Sequence, residues 1–259
     1  MGLHRFARAW RQWWSSRRTS DESAAALERW QGIGKKVRAF AAYRYIRGSG
    51  IEIGALDSPL QTYHRARVRY LDCLPSEKLR AAYPEIPPQS VLEVEQVEDG
   101  ETLGSVPNES CDFVIANHVL EHLRNPIRGM ENMFRVLKSD GILYLALPDK
   151  RFTFDVGRSV TSYEHLKRDY LDGPDWSDAE HSRDWIKFVG KVNDESEIER
   201  RANLIRESRS KIHFHVWTQR EFVELLMHLR RDFNFPIEIE ALIKNGLEFV
   251  VVLRKADLG

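Results

Sequence analysis

Residues 51–72 read IEIGALDSPLQTYHRARVRYLD, and this stretch decides the fold class. One apolar run ends at Gly54, and a second strand-like run ends at Asp72. A strand, a glycine turn, a helix and a second strand that ends in an acid form the half-unit with which doubly wound sheets hold a ribose-containing cofactor. Asp72 lies 72 − 54 = 18 positions after Gly54, close to the roughly 20 expected for a ribose-binding acid. The sequence therefore predicts an α/β, Rossmann-like sheet.

The overall composition excludes several classes of protein. The 259 residues carry 39 Lys and Arg against 39 Asp and Glu, so no global field favours nucleic acid, and no nucleic-acid partner is expected. No apolar stretch approaches the roughly 18–20 residues that span a bilayer, and no signal peptide is recognisable. The two cysteines, Cys73 and Cys111, lack metal-ligand spacing. A reduced, cytoplasmic location is the simplest interpretation.

The first twenty residues are the exception to this balanced charge. Residues 1–20 contain five arginines and no acid, interleaved with Phe6, Trp10, Trp13 and Trp14. Wound as a helix, the aromatic side chains share one face and most arginines take the other. Such a helix suits an anionic membrane surface. Packing on its own domain or on a partner subunit, and stacking on single-stranded nucleic acid, are the alternatives.

Apolar runs and turn residues predict the order of the remaining elements. After a helical N-terminal extension over residues 21–47, strands are expected over 51–54, 68–72, 91–94, 112–116 and 142–147. Asn125-Pro126 predicts the start of a helix that ends near Lys138. Residues 237–243 and 247–253, joined by Asn245-Gly246, predict a terminal β-hairpin.

The alternation of strands and helices lapses between residues 151 and 210, which predicts a helical cap inserted into the sheet domain. The cofactor-binding domain then comprises residues 48–150 and 211–259. A strand-like run follows the cap over residues 212–217, and Thr218 to Glu221 forms a capping box for the next helix.

The segment CDFVIANHVLEHL, residues 111–123, resembles the fourth-strand signature of class I S-adenosylmethionine (SAM)-dependent methyltransferases, in the type 11 branch of small-molecule enzymes. Residues 135–143, RVLKSDGIL, are similar to that family's helix-turn-strand passage. The resemblance runs from about Gly50 to Lys255. It implies a doubly wound, seven-stranded sheet that ends with an inserted antiparallel strand, and it implies SAM as the cofactor.

The glycine loop departs from the pattern of the family. That pattern is acid-x-Gly-x-Gly, whereas here Leu56 stands where the second glycine is usual. The departure predicts reduced cofactor affinity or a reshaped pocket. A dehydrogenase would share the strand-loop-strand geometry, but this loop is too poor in glycine to bind a pyrophosphate at the helix start.

The resemblance assigns cofactor-binding roles to seven residues. Glu52 would order the loop near the ammonium group of the cofactor, and Gly54, with Ala55 beside it, would permit close backbone approach. Asp72 would accept hydrogen bonds from both ribose hydroxyls. An acid after the third strand, Asp99 in preference to Glu98, would reach the adenine amino group. The methionine and sulfonium region would be lined by Asn117 and His118.

Histidines are the candidates for a general base, because their pKa suits proton removal from a hydroxyl near neutral pH. His213 and His215 lie two apart in the strand-like run, which predicts that both rings point to one face. His215 and His213 are the first candidates and His181 the next. The same pair, with His181 or Asp184, is an alternative metal site, although no metal is expected.

The acceptor is predicted to be a sugar, a glycan or a lipid-linked intermediate, O-methylated at the inner face of the cytoplasmic membrane. This expectation rests on a resemblance to methyltransferases of cell-surface glycan pathways and on the amphipathic N-terminus. Lys150, Arg151 and Arg158 suggest an anionic acceptor. A soluble metabolite, and a non-catalytic scaffold with the same fold, are the alternatives.

Overall fold

The computed structural model describes residues 34–63 and 65–256. Its centre is a seven-stranded sheet with the strand order β3-β2-β1-β4-β5-β7-β6. The strands are β1 (Gly48–Ile53), β2 (Ala66–Asp72), β3 (Gln96–Val97), β4 (Cys111–Asn117), β5 (Leu137–Pro148), β6 (Ile237–Asn245) and β7 (Glu248–Lys255).

The helices lie on both faces of this sheet and beyond its edge. Those of the described residues are α1 (residues 34–45), α2 (Ser76–Ala82), α3 (Pro126–Val136), α4 (Tyr163–Asp172), α5 (Asp178–Asp184), α6 (Glu195–Glu207) and α7 (Gln219–Phe233). As predicted, Asn125 caps α3, and its side chain accepts a hydrogen bond from the Arg128 amide. The helix ends at Val136, two residues before the expected position, because β5 begins at Leu137.

The central strands are mainly apolar, and residues 142–147 of β5 are wholly so, because both faces of the sheet are covered. One face packs under α3 and α7 with side chains such as Val114, Leu143 and Val251. The opposite face packs under α1 with Phe113 and Tyr144. Successive side chains of β4 and β5 therefore point alternately into two separate hydrophobic cores, one on each face of the sheet.

Strand directions confirm the predicted class of sheet. β1 pairs in parallel with β2 and β4, and β4 pairs in parallel with β5. β7 runs antiparallel to both β5 and β6, so the chain closes with a β-hairpin inserted beside β5. The predicted Rossmann-like architecture and the terminal hairpin are both confirmed.

The third strand was expected at the wrong residues. Residues 91–94 are not a strand, and β3 is the two-residue segment Gln96–Val97. The amide of Leu92 donates to the carbonyl of Leu56, and the amide of Val94 donates to the hydroxyl of Ser76. These amides are used outside the sheet, so pairing with β2 begins later.

The segment between β5 and α7 is built mainly from helices. It contains α4, α5 and α6 and a π-helical turn, Trp185–Val189, and it has a small apolar core of its own around Phe154 and Ile198. Residues 212–217, expected to be a strand, have no regular secondary structure and lie outside the sheet, with one isolated bridge between Asp149 and Trp217. Their contact with the sheet domain includes the Phe214 amide, which donates to the Glu121 carbonyl at 2.7 Å.

The predicted amphipathic helix over residues 1–20 lies outside the described residues, as does most of the 21–47 extension. Within residues 34–63 and 65–256, no helix has the length and apolar character needed to cross a membrane.

The close approach of β1 to β4 predicts the effect of one substitution. A Cβ atom at Gly50 would lie 2.2 Å from the Phe113 carbonyl oxygen and 2.6 Å from its ring. Because the nearest atom is backbone, Gly50→Ala must push the two strands apart. We expect the free energy of unfolding, measured by urea denaturation, to fall by about 1–3 kcal/mol.

Gly104→Ala is the matched control. The nearest atom to its added Cβ is Thr102 Oγ1 at 3.9 Å, so we expect a change within about 0.5 kcal/mol. Equal stability of the two variants would contradict the proposed steric conflict.

Candidate active site

The strand register brings the predicted cofactor residues to one edge of the sheet. Ile53 pairs with Leu71 on one side and with Ala116 on the other. One step further along the three parallel strands, Gly54 lies beside Asp72 and beside Asn117. The carboxyl ends of β1, β2 and β4 therefore meet at this edge, where open α/β sheets bind their ligands.

Glu52 holds the loop that follows β1. Its side chain is buried, and its two carboxylate oxygens accept from the Leu60 amide at 2.9 and 3.2 Å. Burial raises the pKa of Glu52 to about 7, although the hydrogen bond from Leu60 and the charge of Arg38 act in the opposite direction. The charge of Arg38 thus compensates only in part for the burial of the Glu52 carboxylate. A cationic group of a ligand nearby would stabilise the ionised form further.

The loop between Glu52 and Leu60 keeps a glycine-like backbone despite its sequence. Gly54 has φ +69°, and a Cβ there would lie 3.3 Å from Val119 Cγ2. Leu56, at the position where the family has its second glycine, has φ +51°. The next turn is closed by the Ser58 amide, which donates to the Ala55 carbonyl. Leucine in place of the glycine therefore leaves the left-handed backbone at this position intact. The left-handed conformation costs a leucine roughly 1–2 kcal/mol.

The two acids predicted to bind ribose and adenine differ in their surroundings. Asp72 ends β2 with 9 % exposure, and burial raises its pKa. Asp99 is exposed, and its side chain accepts from the Glu101 amide at 2.7 Å. The alternative acid, Glu98, accepts from the amides of Gly104 and Ser105 and so closes its own loop.

Asn117 has poorly paired polar atoms at the same edge. Both its side-chain oxygen and its nitrogen are buried and meet no strict hydrogen-bond geometry among the described residues, although the amide approaches Glu52 and acts to lower the pKa of that carboxyl. Buried amides are normally paired. Together with Gly54 and the incompletely compensated Glu52, this poorly paired amide fits a polar, cationic cofactor at the end of β4.

His118 follows Asn117 and is held between two carboxylates. Its backbone adopts φ +55°, and its amide donates to the Ala146 carbonyl. Nε2 donates to Glu248 Oε2 at 2.7 Å, and Nδ1 lies 3.2 Å from Glu121 Oε1. Burial lowers the pKa of His118, but the two carboxylates outweigh it and raise the pKa to about 9. The imidazole is therefore cationic at neutral pH.

This ion-pair network extends to α1. The guanidinium of Arg38 donates from Nε to Glu248 Oε1 at 2.6 Å and forms a second bond through Nη2. Asn245 also donates to Glu248. Sequence analysis missed Arg38 and Glu248 because they lie 210 positions apart. The Asn245-Gly246 turn predicted that Glu248 lies near the start of a strand, but it gave no indication of the partner of Glu248.

His213 belongs to a buried polar cluster with Asp155 and Arg158. Its Nδ1 lies 2.6 Å from Asp155 Oδ2, and Arg158 donates to Asp155 Oδ1 at 3.0 Å. Burial favours the neutral acid, but His213 and Arg158 outweigh it and lower the pKa of Asp155. Ligand atoms of Glu121, His122 and His213 lie within 4.8 Å of one another, which links this cluster to the end of β4.

His215 and His181 lie in a different cluster, so the expected common face of the His-x-His pair was wrong. Residues 212–217 are not a strand, and the period of two does not apply there. His215 groups with His165, Asp169 and His181 instead. Asp184, the other partner considered for a metal site, lies 3.3 Å from Arg158 Nε.

The basic residues expected to bind an anionic acceptor have other partners. Arg158 is buried and also donates to the carbonyls of His213 and Phe214. Arg151 pairs with Asp149 at 2.6 Å, and Lys150 donates to the Val156 carbonyl. Near the end of β5, Arg151 is exposed and Lys150 is half-buried.

The charge on His118 can be measured directly. We expect its ring proton resonances, assigned with His118→Gln, to titrate with a midpoint near the pKa of about 9. Glu248→Gln should lower that midpoint by roughly one unit or more because it removes one of the two anions. Glu224→Gln, at an exposed pair with Arg220, is the control and should leave it unchanged.

The same raised pKa sets the sign of a stability effect. The contribution of His118 to stability is complete below its ordinary pKa of 6.5 and is lost as pH rises through about 9. A midpoint near 6.5 in the native protein would contradict the ion-pair network.

Comparison with known proteins agrees with this geometry. A family model described as a methyltransferase domain matches residues 32–228, which is well over half of the chain. No curated protein sequence gives a significant match.

Among solved structures, a SAM-dependent methyltransferase from Aquifex aeolicus is 12 % identical with a TM-score of 0.46, covering 86 % of this chain and 89 % of that one. A possible histamine N-methyltransferase from Thermotoga maritima is 16 % identical with a TM-score of 0.43, covering 90 % and 96 %. A Haloferax volcanii complex of a methyltransferase activator with a putative methyltransferase is matched at 14 % identity and a TM-score of 0.47, covering 90 % and 96 %. By the match of the family model, this chain belongs to the methyltransferase domain family and is a SAM-dependent methyltransferase.

Proposed function

We propose that this methyltransferase methylates a hydroxyl oxygen of a sugar, glycan or lipid-linked acceptor, and that His213 accepts the hydroxyl proton. The observation that carries the proposal is the buried pair of His213 and Asp155, which is linked through Glu121 to His118 at the end of β4. When bound, SAM supplies a methyl group on a positively charged sulfur, which the acceptor oxygen displaces in line.

The residues at the strand ends would hold the cofactor. Glu52 and Asp72 would face its cationic and ribose portions, and the poorly paired amide of Asn117 would bind near the sulfonium. Asp99 would reach the adenine. His118 and Arg38 balance the charges of Glu121 and Glu248, so His118 can lie near a positive sulfur without adding a net charge to the site.

Among the candidate bases, His213 has the best-ordered ring. A carboxylate at Nδ1 orients the ring and favours the tautomer with its proton on that nitrogen, as in other carboxylate-histidine pairs. By contrast, His118 is already protonated near neutral pH. His215 is fully buried, with Nε2 at 3.2 Å from the Arg124 carbonyl.

The proposal also requires a movement. His213 is 3 % exposed, and its ring packs against Phe154 and Trp185, with centroids 4.9 and 5.7 Å away. These two aromatic side chains would move aside when the acceptor enters and would then cover it. Exclusion of water around the reacting atoms strengthens the electrostatic interactions there.

The nature of the acceptor rests on the family resemblance and on the pattern of residues 1–20. The half-buried Lys150 and the exposed Arg151 near the end of β5 would meet a phosphate or carboxylate of the acceptor, exchanging their present contacts with the Val156 carbonyl and with Asp149. The arginine and tryptophan segment would bring the enzyme to an anionic membrane surface. A soluble hydroxylated metabolite is the alternative acceptor.

A flotation experiment tests the acceptor. The full chain is incubated with methyl-labelled SAM and with anionic phosphatidylglycerol vesicles that carry a polyprenyl-phosphate-linked sugar. Parallel tubes contain nucleotide sugars and hydroxy acids without lipid. We expect the protein to float with the vesicles and the label to appear as a base-stable methyl ether on the lipid-linked sugar. Label only in a soluble compound would favour the alternative, and label on nitrogen or carbon would refute O-methylation.

The role of His213 is tested with the acceptor that the flotation experiment identifies. His213→Gln should lower turnover by roughly 10²–10⁴-fold while the affinity for SAM, measured by calorimetry, stays unchanged. Asp155→Asn should lower turnover in the same direction because it removes the anion that orients the ring.

Asp72→Asn is the control, since it should weaken SAM binding instead. A purely structural role for His213 would lower the melting temperature of His213→Gln without changing the pH dependence of its turnover. Wild-type turnover in that variant would exclude His213 as the base.

A further inference from the structure

Three histidines and one aspartate of the helical segment and of residues 212–217 converge in a cluster separate from that of the proposed base. His165 and Asp169 lie one turn apart on α4, His181 lies on α5, and His215 lies in the irregular segment before α7. Each offers a nitrogen or oxygen atom, and the four atoms lie within 4.8 Å of one another. From this convergence we infer that His165, Asp169, His181 and His215 form a zinc site.

The spacing of the four groups fits a tetrahedral ion. With metal-ligand distances of about 2.0–2.1 Å, tetrahedral ligands lie roughly 3.3 Å apart. Nε2 of His165 lies 3.0 Å from Nε2 of His181 and 3.2 Å from Asp169 Oδ2, and Nε2 of His215 lies 3.8 Å from the same oxygen. The first two distances are already within about 0.3 Å of that spacing, and the third would contract by about 0.5 Å around an ion.

Two polar atoms in the cluster make no hydrogen bond among the described residues. Asp169 is completely buried, and its Oδ2 lies 3.2 Å from His165 Nε2 without the geometry of a hydrogen bond. Nδ1 of the equally buried His215 makes none either, while Nε2 of that ring lies 3.2 Å from the Arg124 carbonyl oxygen. A buried carboxylate oxygen without a well-aligned donor is costly, and a divalent cation would compensate it.

The outer contacts also suit a metal. The other oxygen of Asp169 accepts from the Ser177 hydroxyl at 2.9 Å. Such outer contacts orient ligands in metal sites.

Ligand chemistry favours zinc with a structural role. Three imidazoles and one carboxylate suit zinc among the common divalent ions, and a site closed by four protein ligands is typical of structural zinc. The ion would fasten α4, α5 and residues 212–217 to one another. Residues 212–217 are bound to the end of β4 by the Phe214 amide, which donates to the Glu121 carbonyl. The ion would therefore also fix α4 and α5 against the end of β4.

The second group of potential ligands is a weaker candidate. Glu121, His122 and His213 supply three atoms, but Nδ1 of His213 pairs with Asp155, and Nδ1 of His122 contacts the Ile212 carbonyl. Its members already have protein partners, so it serves as an internal comparison in the test.

Metal analysis of the untagged full-length chain tests the inference. Mass spectrometry should find one zinc per chain after dialysis, and X-ray absorption at the zinc edge should show only nitrogen and oxygen neighbours. Cobalt substituted for zinc should give the visible bands of a tetrahedral ion. Sulfur neighbours, an octahedral cobalt spectrum or sub-stoichiometric zinc would overturn the inference.

Variants separate a built site from adventitious binding. Asp169→Asn and His181→Gln should lose zinc, and Ser177→Ala should weaken its affinity by roughly 10–100-fold, measured by competition with a chromophoric chelator. Ser177→Ala keeps the test valid if a ligand variant fails to fold.

His228→Gln, at a half-buried imidazole stacked on Tyr163, and His213→Gln are the controls and should retain the metal. Equal zinc in the ligand variants and these controls would mean an adventitious ion only. Since His213→Gln separates turnover from zinc content, failure of the proposed base and failure of the zinc site are distinguishable.

Discussion

An imidazolium between two carboxylates is the interaction on which the arrangement of the site depends. His118 is paired with Glu248 at the start of β7 and approached by Glu121 after β4, while Arg38 of α1 completes the charge balance on Glu248. The two anions are buried, and the two cations are partly exposed. Removing any one would leave a charge uncompensated, which is far more costly than the pair is stabilising. Four separate segments are thus bound to one edge of the sheet by a single electrostatic requirement.

The same requirement connects the sheet to the helices beyond it. Glu121 faces His118 with its side chain and accepts from Phe214 with its carbonyl oxygen. Beyond Phe214, Arg158 and Asp155 continue the polar contacts into the helical segment. The helical segment is therefore held to the end of β4 by hydrogen bonds as well as by apolar packing. Hydrogen bonds and ion pairs depend on distance and direction, so they specify one relative orientation better than an apolar interface would.

Sequence patterns predicted the parts of this structure that follow local rules. Long apolar runs predicted β4 and β5, and Asn125-Pro126 predicted the start of α3. The third strand was misplaced because its amides bond to Leu56 and Ser76, which no local pattern reveals. The pairing of Arg38 with Glu248 depends on the completed fold. The two histidines of the His-x-His motif were assigned to one face only because a strand was assumed, and the zinc ligands come from three segments that folding brings together.

Leu56 shows how a motif can be lost in sequence and kept in space. Its left-handed backbone retains the positive φ for which glycine is usually selected. The turn it begins still carries the loop past the ends of β1 and β2. A search for related enzymes that scores glycines would rank this loop poorly, whereas a search that compares backbone dihedral angles would retrieve it. Methyltransferases with similarly substituted loops are therefore better sought by the shape of the chain than by its letters.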